Sequence, residues 1–204
     1  MNIITISREF GSGGRELGKR LADVLGWDYY DREIITDIAA EKSMDEDYVE
    51  KVLEQRPWQG MPLHFRGSFS LAQQPVQTWL LLEQKRVIEG IAKNGRNCVI
   101  VGRNADVLLR EYAPFNVFVC AEQEVKIRRC MERSGEGEDL SRREVERQMR
   151  SIDKGRAKTR EIITGSAWGA RESYHLIVNT TGWDMKELTP AVAKFAEDWF
   201  GRTQ

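Results

Sequence analysis

The run Ile3-Ile4-Thr5-Ile6-Ser7-Arg8-Glu9-Phe10-Gly11-Ser12-Gly13-Gly14-Arg15-Glu16-Leu17-Gly18-Lys19-Arg20-Leu21-Ala22 decides how this chain is read. A short β-rich stretch gives way to a glycine-dense turn and then to an amphipathic helix. Such a turn exposes the first backbone N–H groups of the helix, and glycines let an anion come close to them. Gly11, Ser12, Gly13 and Gly14, continued by Arg15 and Glu16, are therefore the candidate cradle for phosphate oxygens, with the helix dipole adding to the attraction. The consensus G-x-x-x-x-G-K-[ST] is nevertheless not met. Gly14 and Arg15 occupy the lysine position and the next, and Glu16 stands in place of the hydroxyl. Arg15 can supply the missing charge as a planar, bidentate donor. Glu16 could coordinate Mg²⁺ or repel a nucleotide, and the turn read alone could equally be a solvated strand-to-helix connection.

Outward from this run, strand-like stretches recur at Asn2 to Ser7, Trp27 to Tyr30, Cys98 to Val101, Phe115 to Cys120 and Tyr174 to Asn179. They are short, apolar and separated by helical patterns, so right-handed crossovers predict an α/β fold: a parallel sheet with helices on both faces. A last helix from Asp184 to Phe200 closes it, with Leu188, Val192, Phe195, Ala196 and Trp199 at helical spacing. Arg56 to Gln77, rich in proline and glycine, reads as an irregular loop before a helix over Val76 to Lys93. The segment from Lys126 to Arg160 is strongly basic.

The 204 residues, 41% hydrophobic and 31% charged, suit one domain with a sizeable core. A net charge of −1 argues against general nucleic-acid binding. Three cysteines without a C-x-x-C pair and two histidines suggest neither a disulfide framework nor a zinc site. No apolar run reaches membrane-spanning length and no signal peptide is visible, so a cytoplasmic location is expected. Aromatic residues of the insert could form a face for a homo-oligomer.

Other segments raise the phosphate reading. Trp27-Asp28-Tyr29-Tyr30-Asp31, Cys98-Val99-Ile100-Val101-Gly102-Arg103-Asn104, Phe118-Val119-Cys120-Ala121 and Asp153-Lys154-Gly155-Arg156-Ala157-Lys158-Thr159-Arg160 follow in order. Together with the opening loop they resemble the cytidylate kinase-like family of P-loop nucleotide kinases. The resemblance implies a helical lid at about 134–165 and a monophosphate-side insert at about 41–77. It implies ATP and Mg²⁺ as cofactors and a nucleotide or nucleotide-like small molecule as acceptor, contacted by Asp31, Arg32 and Arg103. The lid cations Arg156, Lys158 and Arg160 would join Arg15 and Arg103 in neutralising the transferring phosphoryl group. Glu16 and Asp31 remain as candidate metal ligands.

The family pattern is not followed everywhere. Val101 and Asn104 stand where cytidylate kinases carry acidic residues around Gly-Arg, and Asp37 where an arginine is expected. Asp31 could cap the helix that starts near Arg32, and Arg103 could hold a structural ion pair. Trp58, Phe65, Phe69 and Trp79 could line a base pocket or merely pack, and His64 is too isolated to assign. Two other functions stay open: a nucleotide or phosphate sensor without turnover, and a kinase of a non-nucleotide metabolite.

Overall fold

The five apolar runs form one sheet in the computed structural model, which describes residues 1–46, 49, 53, 66–133 and 141–203. The strands are β1 (Ile3–Arg8), β2 (Asp28–Tyr30), β3 (Cys98–Val101), β4 (Phe115–Cys120) and β5 (Leu176–Asn179). All pair in parallel in the order β2-β3-β1-β4-β5. Between them lie α1 (Gly14–Leu25), α2 (Glu33–Lys42), α3 (Arg66–Lys93), α4 (Ala105–Leu108), α5 (Gln123–Arg133) and α6 (Arg142–Thr164); α7 (Met185–Thr203) ends the chain.

Two cores follow from the alternation of side chains along each strand. Ile4, Ile6, Val99, Val101 and Val117 face α1 and α7, where Leu17, Leu21, Val192 and Ala196 cover them. Ile3, Cys98 and Ile100 face α2 and α3, against Ile34, Ile38, Leu80 and Ile88. A smaller cluster of Ile127, Val145 and Met149 packs α5 against α6. Helix α1 lies very close to the sheet: a Cβ on Gly18 would stand 2.7 Å from Val101 Cγ2.

The observed elements differ from the sequence expectation in places. Helix α3 begins at Arg66 and runs through Pro75, ten residues before the expected start. A proline removes one backbone hydrogen bond, a loss a helix of 28 residues can absorb because the turns on either side remain bonded. Phe195 has helical core spacing but remains 46% exposed, its ring tilted against Phe115 at 5.7 Å. The aromatic residues Trp58 and Phe65, and His64, lie outside the described residues, as do much of the expected insert and positions 134–140. Trp79 is part-exposed beside Lys42, whose ammonium sits 5.7 Å from its ring centroid.

Because every strand points the same way, the segments after β1, β2, β3 and β5 gather along one edge of the sheet. Ligands of open parallel sheets bind at this carboxyl edge.

Candidate functional site

The turn after β1 is held by three other parts of the chain. Lys126 on α5 pairs with Glu9 at 2.7 Å. The Phe10 N–H donates to Asp153 Oδ1 on α6 at 2.9 Å. The Ser12 carbonyl accepts from Thr180 Oγ1, just past β5, at 2.7 Å and from Arg129 Nη1 at 3.1 Å. Arg129 also donates to the Thr180 carbonyl at 3.1 Å, so one guanidinium links the turn to the end of β5. Burial and the neighbouring Arg133 cation lower its pKa.

This bracing fixes the glycine turn at the start of α1. Gly11 and Gly13 have φ of 78° and 85°, a conformation that costs glycine nothing. A Cβ on Gly11 would stand 2.9 Å from Cys130 Sγ, so the turn lies hard against α5. Ser12 is fully buried and its hydroxyl donates to the Glu9 carbonyl at 2.8 Å. It is therefore part of the scaffold of the turn. The first N–H groups of α1 have no carbonyl a turn earlier to bond, which is the condition for receiving phosphate oxygens.

Beside the turn lies a cleft lined by Ser7, Arg8, Gly102, Arg103, Asn104 and Arg156, with Gln84, Thr159 and Trp168 deeper around it. Its far wall is an unusual turn: Gly102, Arg103 and Asn104 have φ of 78°, 58° and 54° in succession. Two adjacent non-glycine residues in the left-handed region mark stored strain. The buried Gln84 amide donates to the Arg103 carbonyl at 3.0 Å and helps hold that strain. Arg156 reaches the Arg8 carbonyl at 3.0 Å and stays on Asp153, also at 3.0 Å. Burial raises the Asp153 pKa, while Arg156 and the Phe10 N–H pull it back.

The structure brings together some of the expected residues and separates others. Arg15 engages Asp31, which is 3% exposed at the end of β2 and also lies 3.6 Å from Arg8. Arg32, exposed at the start of α2, shares a shallow depression with Arg15, Glu16 and Asp31. Arg103 and Arg156 line the same cleft, whereas Lys158, two residues along α6 and so on its opposite side, is exposed to solvent. Arg160 lies elsewhere: it is buried in an ion pair with Asp106, and its Nε donates to Ser166 Oγ at 3.2 Å. Its position four residues from Arg156 puts it on the same side of a helix, but α6 turns that side into the protein there.

Glu16 and Asp31, the candidate metal ligands, are both engaged by guanidinium groups. With Gly14 at the lysine position, the consensus hydroxyl falls on Arg15, not Glu16. Both Glu16 oxygens are taken, one by Arg20 and one by Arg133, each at 3.0 Å. The Asp31 carboxylate already faces two guanidinium groups, and no cluster of metal-ligating side chains exists among the described residues. With these partners in place, neither carboxylate is arranged for direct coordination of Mg²⁺.

Sequence reasoning missed Arg8. The signal was present, because counting G-x-x-x-x-G back from Gly13 places Arg8 at the first glycine. Arg129 carried no such signal, since its partners are backbone carbonyls far along the chain.

A 2-3-1-4-5 parallel sheet, a glycine cradle after the first strand and an arginine-lined cleft beside it define the class: a P-loop kinase, a phosphotransferase. The family model for the cytidylate kinase-like family matches residues 3–182, and the chain belongs to that family. An uncharacterized protein from Eubacterium ventriosum ATCC 27560 is similar in fold, with a TM-score of 0.71, 22% identity, and coverage of 97% of this chain and 99% of that one. The shikimate kinase of Bacteroides thetaiotaomicron superposes with a TM-score of 0.56 at 16% identity, covering 96% and 98%. A gluconokinase from Sinorhizobium meliloti 1021 does so at 0.52 and 15%, covering 100% and 98%. No curated protein matches the sequence. Among the described residues, no helix is long and apolar enough to cross a membrane.

Proposed function

We propose that the chain transfers the γ-phosphoryl group of ATP to a nucleoside monophosphate-like acceptor in the cytoplasm, a compartment that suits its three free cysteines. The observation that carries this reading is the cleft itself, which Arg8, Arg103 and Arg156 line together, with Arg8 packed against Gly14 of the glycine cradle. Phosphoryl transfer is mostly positioning and charge neutralisation, so convergent fixed cations are what the reaction requires. The N–H groups at the start of α1 hold the donor phosphates. Arg103 binds the acceptor's anionic group from the opposite wall, and Arg15 and Arg32 extend the positive rim around Asp31. As the bond from the γ-phosphorus to the β–γ bridging oxygen breaks, one to an acceptor oxygen forms and ADP leaves. Mg²⁺, carried on the nucleotide, supplies additional neutralisation when bound.

A second reading, a kinase of a small hydroxy acid, is favoured by Val101 and Asn104, which remove the acidic pair expected around Gly-Arg. Guanidinium groups accept carboxylates as readily as phosphates. One assay separates the two: ADP release with Mg-ATP and a panel of nucleoside monophosphates and sugar acids. Stimulation by a monophosphate, with a raised acceptor KM in Arg103→Ala, supports the first reading. Stimulation only by a hydroxy acid supports the second. Tight ATP binding without turnover for any acceptor indicates a sensor and overturns both.

A further inference from the structure

The loop departs from its consensus at two positions, Arg8 for the first glycine and Gly14 for the lysine. The structure brings the two positions into direct contact. A Cβ on Gly14 would stand 2.5 Å from Arg8 Cβ, 2.9 Å from Arg8 Cγ and 3.3 Å from Val119 Cβ. The stem of Arg8 therefore fills the space that any side chain at position 14 would need. A glycine is required at 14 because an arginine stands at 8.

The guanidinium at the end of that stem lies where a cation is wanted. Arg8 is the last residue of β1, the central strand, with β3 on one side and β4 on the other. Its side chain turns toward β3 and crosses Gly102 so closely that a Cβ there would fall on the guanidinium. Asp31, 3.6 Å from Nη2, steadies it from the end of β2, and Arg156 holds the Arg8 carbonyl from above. The side chain is only 11% exposed, yet it lines the cleft between the glycine cradle and Arg103. The charge thus sits between the donor turn and the acceptor wall. Arg15 pairs with the same Asp31 carboxylate, but its side chain is 56% exposed and does not line this cleft.

We propose that Arg8 is a catalytic residue that takes over the role of the missing lysine, contacting the phosphoryl group in transit, and that Gly14 exists to make room for it. This rests on the kinase reading above, with the donor phosphates on the start of α1. Arginine offers two parallel N–H donors where lysine offers a point charge, so the exchange also favours a planar, equatorial grip on the moving group.

The test is a cycle of four proteins besides wild type: Arg8→Met, Arg8→Gly, Gly14→Ala and Arg8→Gly/Gly14→Ala, followed by Arg8→Gly/Gly14→Lys. Arg8→Met keeps the stem and removes the charge, and turnover should fall about 100-fold or more while Mg-ATP still binds. Gly14→Ala should melt well below wild type, whereas the same change on the Arg8→Gly background should not lower the melting temperature further. Arg8→Gly/Gly14→Lys should recover turnover relative to Arg8→Gly. Arg8→Met turning over within threefold of wild type, or Gly14→Ala being equally harmful on both backgrounds, would overturn the inference while the kinase reading stands. A wild-type protein that binds no Mg-ATP and turns over no acceptor would sink the kinase reading first. The charge role would fall with it, leaving only the melting cycle to report the shared space.

Discussion

Replacing Arg160 by methionine separates a structural cation from a reactive one. Arg160 on α6 and Asp106 on α4 have side chains 3% and 2% exposed and form an ion pair. Such a pair adds little net stability over an apolar substitute, but removing one partner strands the other charge in the interior at about 3–5 kcal/mol. Asp106 Oδ1 already has no hydrogen-bond partner among the described residues, so Arg160→Met leaves it no compensation on that side. In a chain of this size each kcal/mol moves Tm by about 2–4 °C, which places the expected drop at about 6–20 °C. Asp106→Leu/Arg160→Met, which removes both charges, should regain most of it. Differential scanning calorimetry reads the melting temperatures, and ADP release at 20 °C, below the transitions, reads the chemistry. An Arg160→Met protein that melts like wild type but has lost turnover would refute the structural role and return Arg160 to the phosphoryl group.

Other consequences are equally measurable. Gly18→Ala places a methyl 2.7 Å from Val101 Cγ2; overpacking of about 1–3 kcal/mol outweighs the gain of about 1 kcal/mol in helix propensity, so urea unfolding should shift to lower concentration. Gly90→Ala on α3 meets nothing within 4 Å and should shift it the other way by about 0.5–1 kcal/mol; equal signs for the two would contradict the packing. Arg129→Met removes the charged hydrogen bonds to the Ser12 and Thr180 carbonyls, leaving them the Thr180 hydroxyl and the Trp183 N–H, at about 1.5–3 kcal/mol, and should raise the KM for ATP more than it lowers kcat, because the cradle loosens before the chemistry does. Burial, with Asp28 nearby, pushes the Cys98 thiol up to about 12. Its thiolate is the reactive form, so at pH 8 native Cys98 should resist a disulfide reagent and react only in urea, and rapid native labelling would contradict its place in β3.

Much of this arrangement was legible from the residues. The runs Cys98 to Val101 and Phe115 to Cys120 fall on strands with the same bounds, because fully buried parallel strands read as uninterrupted apolar stretches. The glycine turn was legible because a positive φ, as at Gly11 and Gly13, favours glycine over residues with a Cβ. What failed to show was three-dimensional ownership of charge. Arg156 and Arg160 look alike in a basic helix, yet one meets the Arg8 carbonyl and the other a buried aspartate on α4. Helical spacing says which residues share a side but not which stretch of that side is covered. Arg15 was the nearest cation to the altered lysine in sequence, whereas Arg8, six residues earlier, shares the space of position 14. Pro75 and Gly67 marked a break in α3 that neighbouring turns bridge.

The turn at Gly102, Arg103 and Asn104 carries a further implication for how this protein divides its free energy. Holding two ordinary residues in the left-handed region costs about 1–3 kcal/mol each, and a native state holds only about 5–15 kcal/mol in all. That cost is met once, during folding, by the packing of the sheet and the Gln84 hydrogen bond to the Arg103 carbonyl. In the proposed function, Arg103 would meet an anion on a backbone whose conformation is already fixed. The chain has in effect moved part of its ligand-ordering entropy out of the binding step and into the fold. Relaxing the turn, for example with glycine at 104, would yield a sturdier protein and a weaker grip.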